Sequence, residues 1–206
     1  MMKIELHHIS KRYINHWVFR EVHNVYEGPN QYAILGANGS GKSTLLRMIA
    51  GMQSISKGQV TYEINGKTVD PEHIFKYVSY CAPAMEVVEE MTLKEFLDFH
   101  FQFKKLLPGW TVTRIIEAME LQRAATQFIN EFSSGMKQRV KLAQAFFSDT
   151  PILLLDEPCS NLDLKGVNLY QQWLHELAGN RLVIIASNDE REYTGAISTL
   201  DIQAFK

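Results

Sequence analysis

The sequence predicts an α/β fold with three parts: a parallel-sheet core, an antiparallel β subdomain near the N-terminus and an inserted α-helical subdomain. Three observations predict it. First, the apolar run Tyr32-Ala33-Ile34-Leu35 meets a glycine-rich turn and then the periodic Leu45-Leu46-Arg47-Met48-Ile49-Ala50, which is strand, loop and helix. Second, Ile152–Leu155 and Leu182–Ala186 are unbroken apolar runs, as parallel strands covered on both faces require. Third, from Thr92 the hydrophobic period becomes helical and stays so until Phe147. All 206 residues are expected to form one domain, with 1–89 and 149–206 as the α/β core and β subdomain and 90–148 as the helical one.

Taken in order, Lys3-Ile4-Glu5-Leu6-His7-His8-Ile9 begins as an apolar/polar alternation and reads as a strand. His7 and His8 are adjacent, so they point to opposite faces and read as edge or solvated residues. Trp17-Val18-Phe19 and Val22–Val25 predict another antiparallel strand pair, and Gly28-Pro29-Asn30 a turn. Gly51 stops the first helix as a C-cap. Gly58–Ile64 is a strand, Asn65-Gly66 a hairpin turn, and 74–81 a further β segment ended by Ala82-Pro83.

Thr92 and Glu95 have capping-box spacing, and Leu93, Phe96, Leu97, His100, Phe101 and Lys104 share one helical face. Pro108-Gly109 breaks that helix. A second carries Ile115, Ile116 and Met119, and a third runs from Met136 to Phe147. Phe96, Phe99, Phe101, Phe103 and Trp110 make this part aromatic; core packing is expected, with an exposed patch for a partner as the alternative. A helix over 165–178 and a short β-like tail, Ser198–Phe205, complete the chain.

Composition bounds the partners. Hydrophobic content of 46% and charged content of 21% are those of a soluble globular protein, and a net charge of −2 excludes nucleic acid as an expected partner. The two cysteines, Cys81 and Cys159, lie in dissimilar contexts and predict neither a disulfide nor a zinc site. Met1-Met2-Lys3-Ile4-Glu5 has no apolar core of a signal peptide, and no apolar run approaches the ~20 residues that span a bilayer. A cytoplasmic location is expected, with any membrane attachment made through a partner.

The chemistry begins at Gly36-Ala37-Asn38-Gly39-Ser40-Gly41-Lys42-Ser43-Thr44, which satisfies the pattern G-x-x-x-x-G-K-[ST]. Its glycines allow backbone conformations a Cβ would forbid, so successive N–H groups turn inward around a phosphate and the following helix aims its positive end there. Lys42 is placed to reach the β- and γ-phosphates, and the Ser43 hydroxyl to take one Mg²⁺ position. This is a nucleoside-triphosphate site. Asp156 and Glu157 close a Leu-rich strand at the end where ligands bind in parallel sheets. Asp156 is thus a candidate for Mg²⁺, and Glu157 for polarising the attacking water. Ser133-Ser134-Gly135-Met136 precedes a helix without a lysine of its own, a pattern shared by ordinary caps and by a second anion-binding surface.

Nearly the whole chain resembles the ATP-binding cassette (ABC) ATPases, whose fold is a P-loop NTPase core. Gly36–Ser43 is similar to the Walker A loop, and Phe132–Met136 to the signature Leu-Ser-Gly-Gly-Gln with Ser133 and Gly135 retained. Ile152–Glu157 is similar to Walker B with its catalytic Glu, Ser160-Asn161-Leu162-Asp163 to the D-loop, and Tyr13 to the adenine-stacking aromatic. The resemblance implies ATP and Mg²⁺ as ligands and dimerisation with a second ABC ATPase subunit. There, Ser133 and Gly135 of one copy meet the γ-phosphate held by the other. It also implies an integral membrane permease subunit moved by ATP-driven closure, so that the chain would sit peripherally on the cytoplasmic face of the inner membrane. Its compact length looks like that of bacterial exporter subunits. A soluble cassette used for assembly or regulation is the alternative.

Two departures bear on mechanism. The family's switch histidine falls at Asn188, whose amide donates a hydrogen bond but never carries charge. The Q-loop glutamine falls at or near Pro83, and no Gln occurs between Gln59 and Gln102; Glu86, Glu89 and Glu90 are the nearby substitutes. Ser134 for Gly and Met136 for Gln are lesser changes. ATP binding and closure with slow turnover are therefore expected.

Overall fold

The N-terminal alternation produces a strand in the computed structural model, which describes residues 2–206. This strand, β1 (Met2–Tyr13), pairs antiparallel with β2 (His16–Gly28) on one side and β4 (Lys57–Ile64) on the other. Trp17–Phe19 and Val22–Val25 belong to the single strand β2 rather than to a pair. The β1/β2 register slips between Leu6 and Lys11, and His8 and Glu21 take φ of 48° and 53°, so the interruption is a bulge and not a turn. The hairpin at Asn65-Gly66 has φ of 54° and 75°, the primed turn its residues favour, and leads into β5 (Lys67–Val69). His7 Nε2 lies 3.1 Å from Thr61 Oγ1, and the exposed His8 stacks on His23 at 5.2 Å.

The second sheet contains β3 (Gln31–Leu35), β6 (Val78–Cys81), β7 (Ile152–Asp156), β8 (Leu182–Ala186) and β9 (Ser198–Asp201). Its order is β6-β7-β8-β3-β9, and every pairing is parallel. The β segment expected over 74–81 is shorter, because Pro71–Lys76 form a 3-10 helix. Proline suits its first turn, and the Asp70 carboxylate accepts the Glu72 N–H at 2.9 Å.

Sheet and helices meet on both faces, which explains the continuous apolar runs. Leu153, Leu155, Val183 and Ile185 face one core with Phe146, Tyr170 and Trp173. Ile152, Leu154 and Ile184 face another with Leu45, Leu46, Ile49 and Tyr62. Helix α1 (Lys42–Ile49) ends in a Schellman motif: Gly51 at φ 72° donates to the Met48 carbonyl, and the Met52 N–H to that of Arg47.

Between β6 and β7 lie α2 (Leu93–Phe103), α3 (Val112–Ala118) and α4 (Ser134–Phe146); α5 (Leu164–Leu177) follows β7. The box at the start of α2 is closed in both directions, Thr92 N–H to Glu95 Oε2 at 2.9 Å and Glu95 N–H to Thr92 Oγ1 at 3.3 Å. Core packing holds for Phe96, which is buried, and for Trp110, which packs on Phe147 at 4.5 Å. It fails for Phe99 and Phe103. One turn apart on the outer side of α2, they touch each other at 5.2 Å and are 42% and 74% exposed. Among the described residues no helix is long and apolar enough to cross a membrane.

Candidate functional site

The glycine-rich loop joins β3 to α1. Gly36, Gly39 and Gly41 take φ of 140°, 76° and 110°, the region that side chains resist. A Cβ on Gly41 would lie 2.7 Å from Val18 Cγ1, so β2 closes over the loop and leaves no room for a larger residue. No side chain caps α1. Its first N–H groups therefore face the hollow of the loop, available to an anion.

Lys42 is buried, and its ammonium donates back to the loop carbonyl of Gly36 at 2.8 Å. Ser43 Oγ donates to Asp156 Oδ1 at 2.9 Å, joining the start of α1 to the end of β7. Burial raises the Asp156 carboxyl above its usual range, and the Ser43 hydrogen bond works in the opposite direction. Glu157 Oε1 stands 3.8 Å from Lys42 Nζ, with its side chain 39% exposed. Its φ of 41° is costly for a residue with a Cβ. The Ala186 carbonyl accepts its N–H at 2.9 Å and holds it there.

Lys42, Ser43 and Glu157 share a cavity of about 360 Å³ with Tyr13, His16, Val18, Asn38, Gly39, Gly41 and Thr44. Tyr13 is 47% exposed; Lys11 Nζ lies 5.0 Å from its ring centroid and Gln53 donates to its hydroxyl. His16, Val18, Arg47 and Lys206 also line this cavity and carry no motif that the sequence could have revealed. Asn188, despite lying on the loop after β8, reaches the same mouth: its Nδ2 donates to Asn38 Oδ1 at 3.1 Å.

Pro83 lines an adjoining cavity with Ser43, Tyr80, Asp156 and Glu157. It offers no polar side-chain atom there, and its carbonyl already accepts Lys141 Nζ at 2.7 Å. None of Glu86, Glu89 and Glu90 lines that cavity. They border a neighbouring groove that shares Pro83 with it, where Glu89 pairs with Lys137 at 2.5 Å.

The Ser133–Met136 segment stands apart. Ser133 caps α4, accepting the Met136 N–H at 3.2 Å; Ser133 and Ser134 are exposed, and neither of these two cavities contains them. Gly135 approaches the next loop so closely that a Cβ there would lie 3.1 Å from the Asn161 carbonyl oxygen. That loop, Ser160-Asn161-Leu162-Asp163, turns through Asn161 at φ 63°, and Asp163 caps α5 at Gly166 N–H, 2.8 Å away. The Asp163 carboxyl is held below its ordinary range by that bond first and by nearby Arg139 second.

A family model described as "ABC transporter" matches residues 23–160. The chain belongs to the ABC transporter family. Among similar relatives of the cassette is the "Uncharacterized ABC transporter ATP-binding protein YybJ" of Bacillus subtilis, 30% identical over 201 residues that cover 97% of this chain and 90% of that one. The "Probable sulfate/thiosulfate import ATP-binding protein CysA" of Chlorella vulgaris is 32% identical over 183 residues, 85% of this chain and 75% of its own. Its counterpart in Nitrosomonas europaea is 30% identical across 93% of the cassette, which spans only 55% of that longer relative. Two solved structures share the fold. A putative ABC transporter ATP-binding protein from Pyrococcus furiosus superposes with a TM-score of 0.81 over 99% of each chain at 22% identity. The ATP-binding cassette MJ0796, solved as a post-hydrolysis dimer bound to ADP and Pi, gives 0.80 over 97% and 95% at 22% identity.

Proposed function

We propose that this cassette binds MgATP, closes on a second cassette around it and hydrolyses it slowly, driving an integral membrane permease subunit. The observation that carries this reading is the convergence of Lys42, Ser43, Asp156 and Glu157 from two strand ends onto two adjoining cavities that share Ser43 and Glu157. Lys42 and the uncapped N-terminus of α1 bind the phosphates. The Ser43 hydroxyl and Asp156 carboxylate are hard oxygen donors 2.9 Å apart, a pair that suits Mg²⁺. Bound there, the ion would neutralise charge on the β- and γ-phosphates. Glu157 accepts a proton from the attacking water, Tyr13 stacks on the base, and Asn188 donates to the γ-phosphate through a neutral amide. Ser133, Ser134, Gly135 and Met136 complete the site of the second copy, with Ser160–Asp163 lining the same junction. The single 1–206 domain, with 90–148 as its helical part, supplies both halves of that junction.

A permease contact is supported by an apolar groove bordered by Met52, Phe75, Tyr80, Met85 and His100, with the exposed Phe99 and Phe103 on the same helix as His100. Through it the cassette would sit on the cytoplasmic face of the inner membrane. The second reading, a soluble cassette serving assembly or regulation, is favoured only by Pro83 and Asn188, which weaken turnover more than binding.

Steady-state ATPase assays beside Glu157→Gln test the core of the proposal. The variant is expected to lose at least ~100-fold of the rate, as removal of a general base does, while retaining ATP and accumulating dimer. Equal rates for both proteins would refute it. Co-purification of a multi-span membrane protein from native membranes is the outcome expected of the transport reading.

A further inference from the structure

Two buried polar side chains outside the recognised motifs grip the main chain immediately after Glu157. Glu192, 3% exposed, accepts the Cys159 N–H on Oε1 at 2.6 Å. Gln138, 2% exposed and on α4, donates from Nε2 to the Pro158 carbonyl at 2.8 Å. The turn from 157 to 160, closed by the Ser160 N–H on the Glu157 carbonyl at 3.1 Å, is thereby held from both sides. Glu192 itself is anchored, since its carbonyl accepts the Tyr170 hydroxyl at 2.6 Å and its N–H donates to the Asp189 carbonyl at 2.9 Å. Asp189 directly follows Asn188. A single carboxyl thus ties the loop of Asn188 to the turn of Glu157.

We propose that Glu192 is a positioning residue for hydrolysis, with Gln138 as its counterpart, and that together they fix where the Glu157 carboxylate stands. Glu192 is more than an apolar strut could be, because it supplies the acceptor that the buried Cys159 N–H needs. Burial also raises the carboxyl above its ordinary range, with the Ser187 hydroxyl and the Cys159 N–H working in the opposite direction. What the carboxyl holds is a strained turn, Glu157 at φ 41° and Asn161 at φ 63°, which would relax without support. Gln138 adds a directional consequence. It lies on the helix whose first residues are Ser134–Met136, so a shift of α4 on meeting another copy's nucleotide pulls on Pro158 and moves this copy's Glu157.

The inference rests on Glu157 acting on the water, and the experiment separates the two. Rates, ATP affinity and melting temperature are measured for Glu192→Met, Glu192→Gln, Gln138→Met and Glu157→Gln, and for Glu192→Met combined with Glu157→Gln. Glu192→Met is expected to lower kcat at least about tenfold, with KM and ATP affinity within about twofold, because a misplacement near 1 Å costs up to ~100-fold. Glu192→Gln, whose amide oxygen still accepts the Cys159 N–H, is expected to restore most of kcat, and Gln138→Met to repeat the loss. In the Glu157→Gln background, Glu192→Met is expected to cost nothing more. Full kcat in Glu192→Met, an equal loss in Glu192→Gln, or an undiminished effect in the Glu157→Gln background would overturn the inference while leaving the proposed function standing. Should Glu192→Met fail to fold, Gln138→Met and Glu192→Gln carry the same comparison. A Glu157→Gln rate equal to wild type would remove both.

Discussion

The molecule presents two helix N-termini, at α1 and α4, that differ in how finished they are as anion sites. At the start of α1, a buried Lys42, three left-handed glycines and the Ser43–Asp156 contact build a pocket from one chain alone. At the start of α4, Ser133 caps the helix by itself, Ser134 lies in the open, and neither residue lines the cavities of the first site. The first site is pre-organised, so in the proposed function it holds a ligand unaided. The second offers partial positive charge and small side chains on a surface, which suffices only against a phosphate already gripped elsewhere. In the proposed dimer, one end binds and the other completes.

That contrast breaks most sharply at Ser133. Ser133→Arg is expected to abolish ATP-dependent dimerisation and cut ATPase activity at least ~100-fold while leaving nucleotide affinity of the monomer within about twofold; size-exclusion and fluorescent-nucleotide titration read the two halves. If affinity falls with dimerisation, the two ends are not separable. Smaller, and opposite in sign, is the effect at the mouth of the first site. Asn188→His, able to carry charge against the γ-phosphate, is expected to raise kcat by about three- to tenfold, with the gain seen in single-turnover assays.

Next comes a change that should touch neither end. His100, beneath the groove, is held by burial at a pKa of about 4 against an ordinary 6.5. The unfolded chain therefore binds the extra proton between those values. Stability is retained above pH 6.5 and lost as pH falls towards 4. His100→Gln is expected to flatten that acid limb in pH-dependent urea melts without altering ATP affinity. The smallest effect is at the α2 cap, where Thr92→Ala should cost about 1 kcal/mol, or roughly 2–4 °C in Tm, with ATPase activity unchanged.

The first site was legible because its chemistry is local: Gly36–Thr44 fits in one turn and helix end, and Asp156 and Glu157 cap an unmistakable apolar strand. The box at Thr92 and Glu95 and the turn at Asn65-Gly66 were readable for the same reason, each being satisfied within a few residues. What escaped depends on distant partners. The bulge in β2 is set by its register against β1, so Trp17–Phe19 and Val22–Val25 looked like two strands. Phe99 and Phe103 are as apolar as Phe96, and only the direction α2 faces distinguishes them. Glu192 and Gln138 act on main-chain atoms 33 and 20 residues away, a relation that no spacing encodes.

The parallel sheet carries one further consequence. β3, which leads into the glycine loop, lies between β8 and β9, and its partners are Val183–Ala186 and Ser198–Asp201. During synthesis the strand that launches the phosphate pocket thus emerges early and has no neighbours until the ribosome has made about 150 more residues, counted from those pairings. A nascent chain stopped before β8 would expose Ala33 and Ile34 to chaperones and hold no nucleotide. Its competence for ATP would arrive late and all at once, when β8 and β9 have been made.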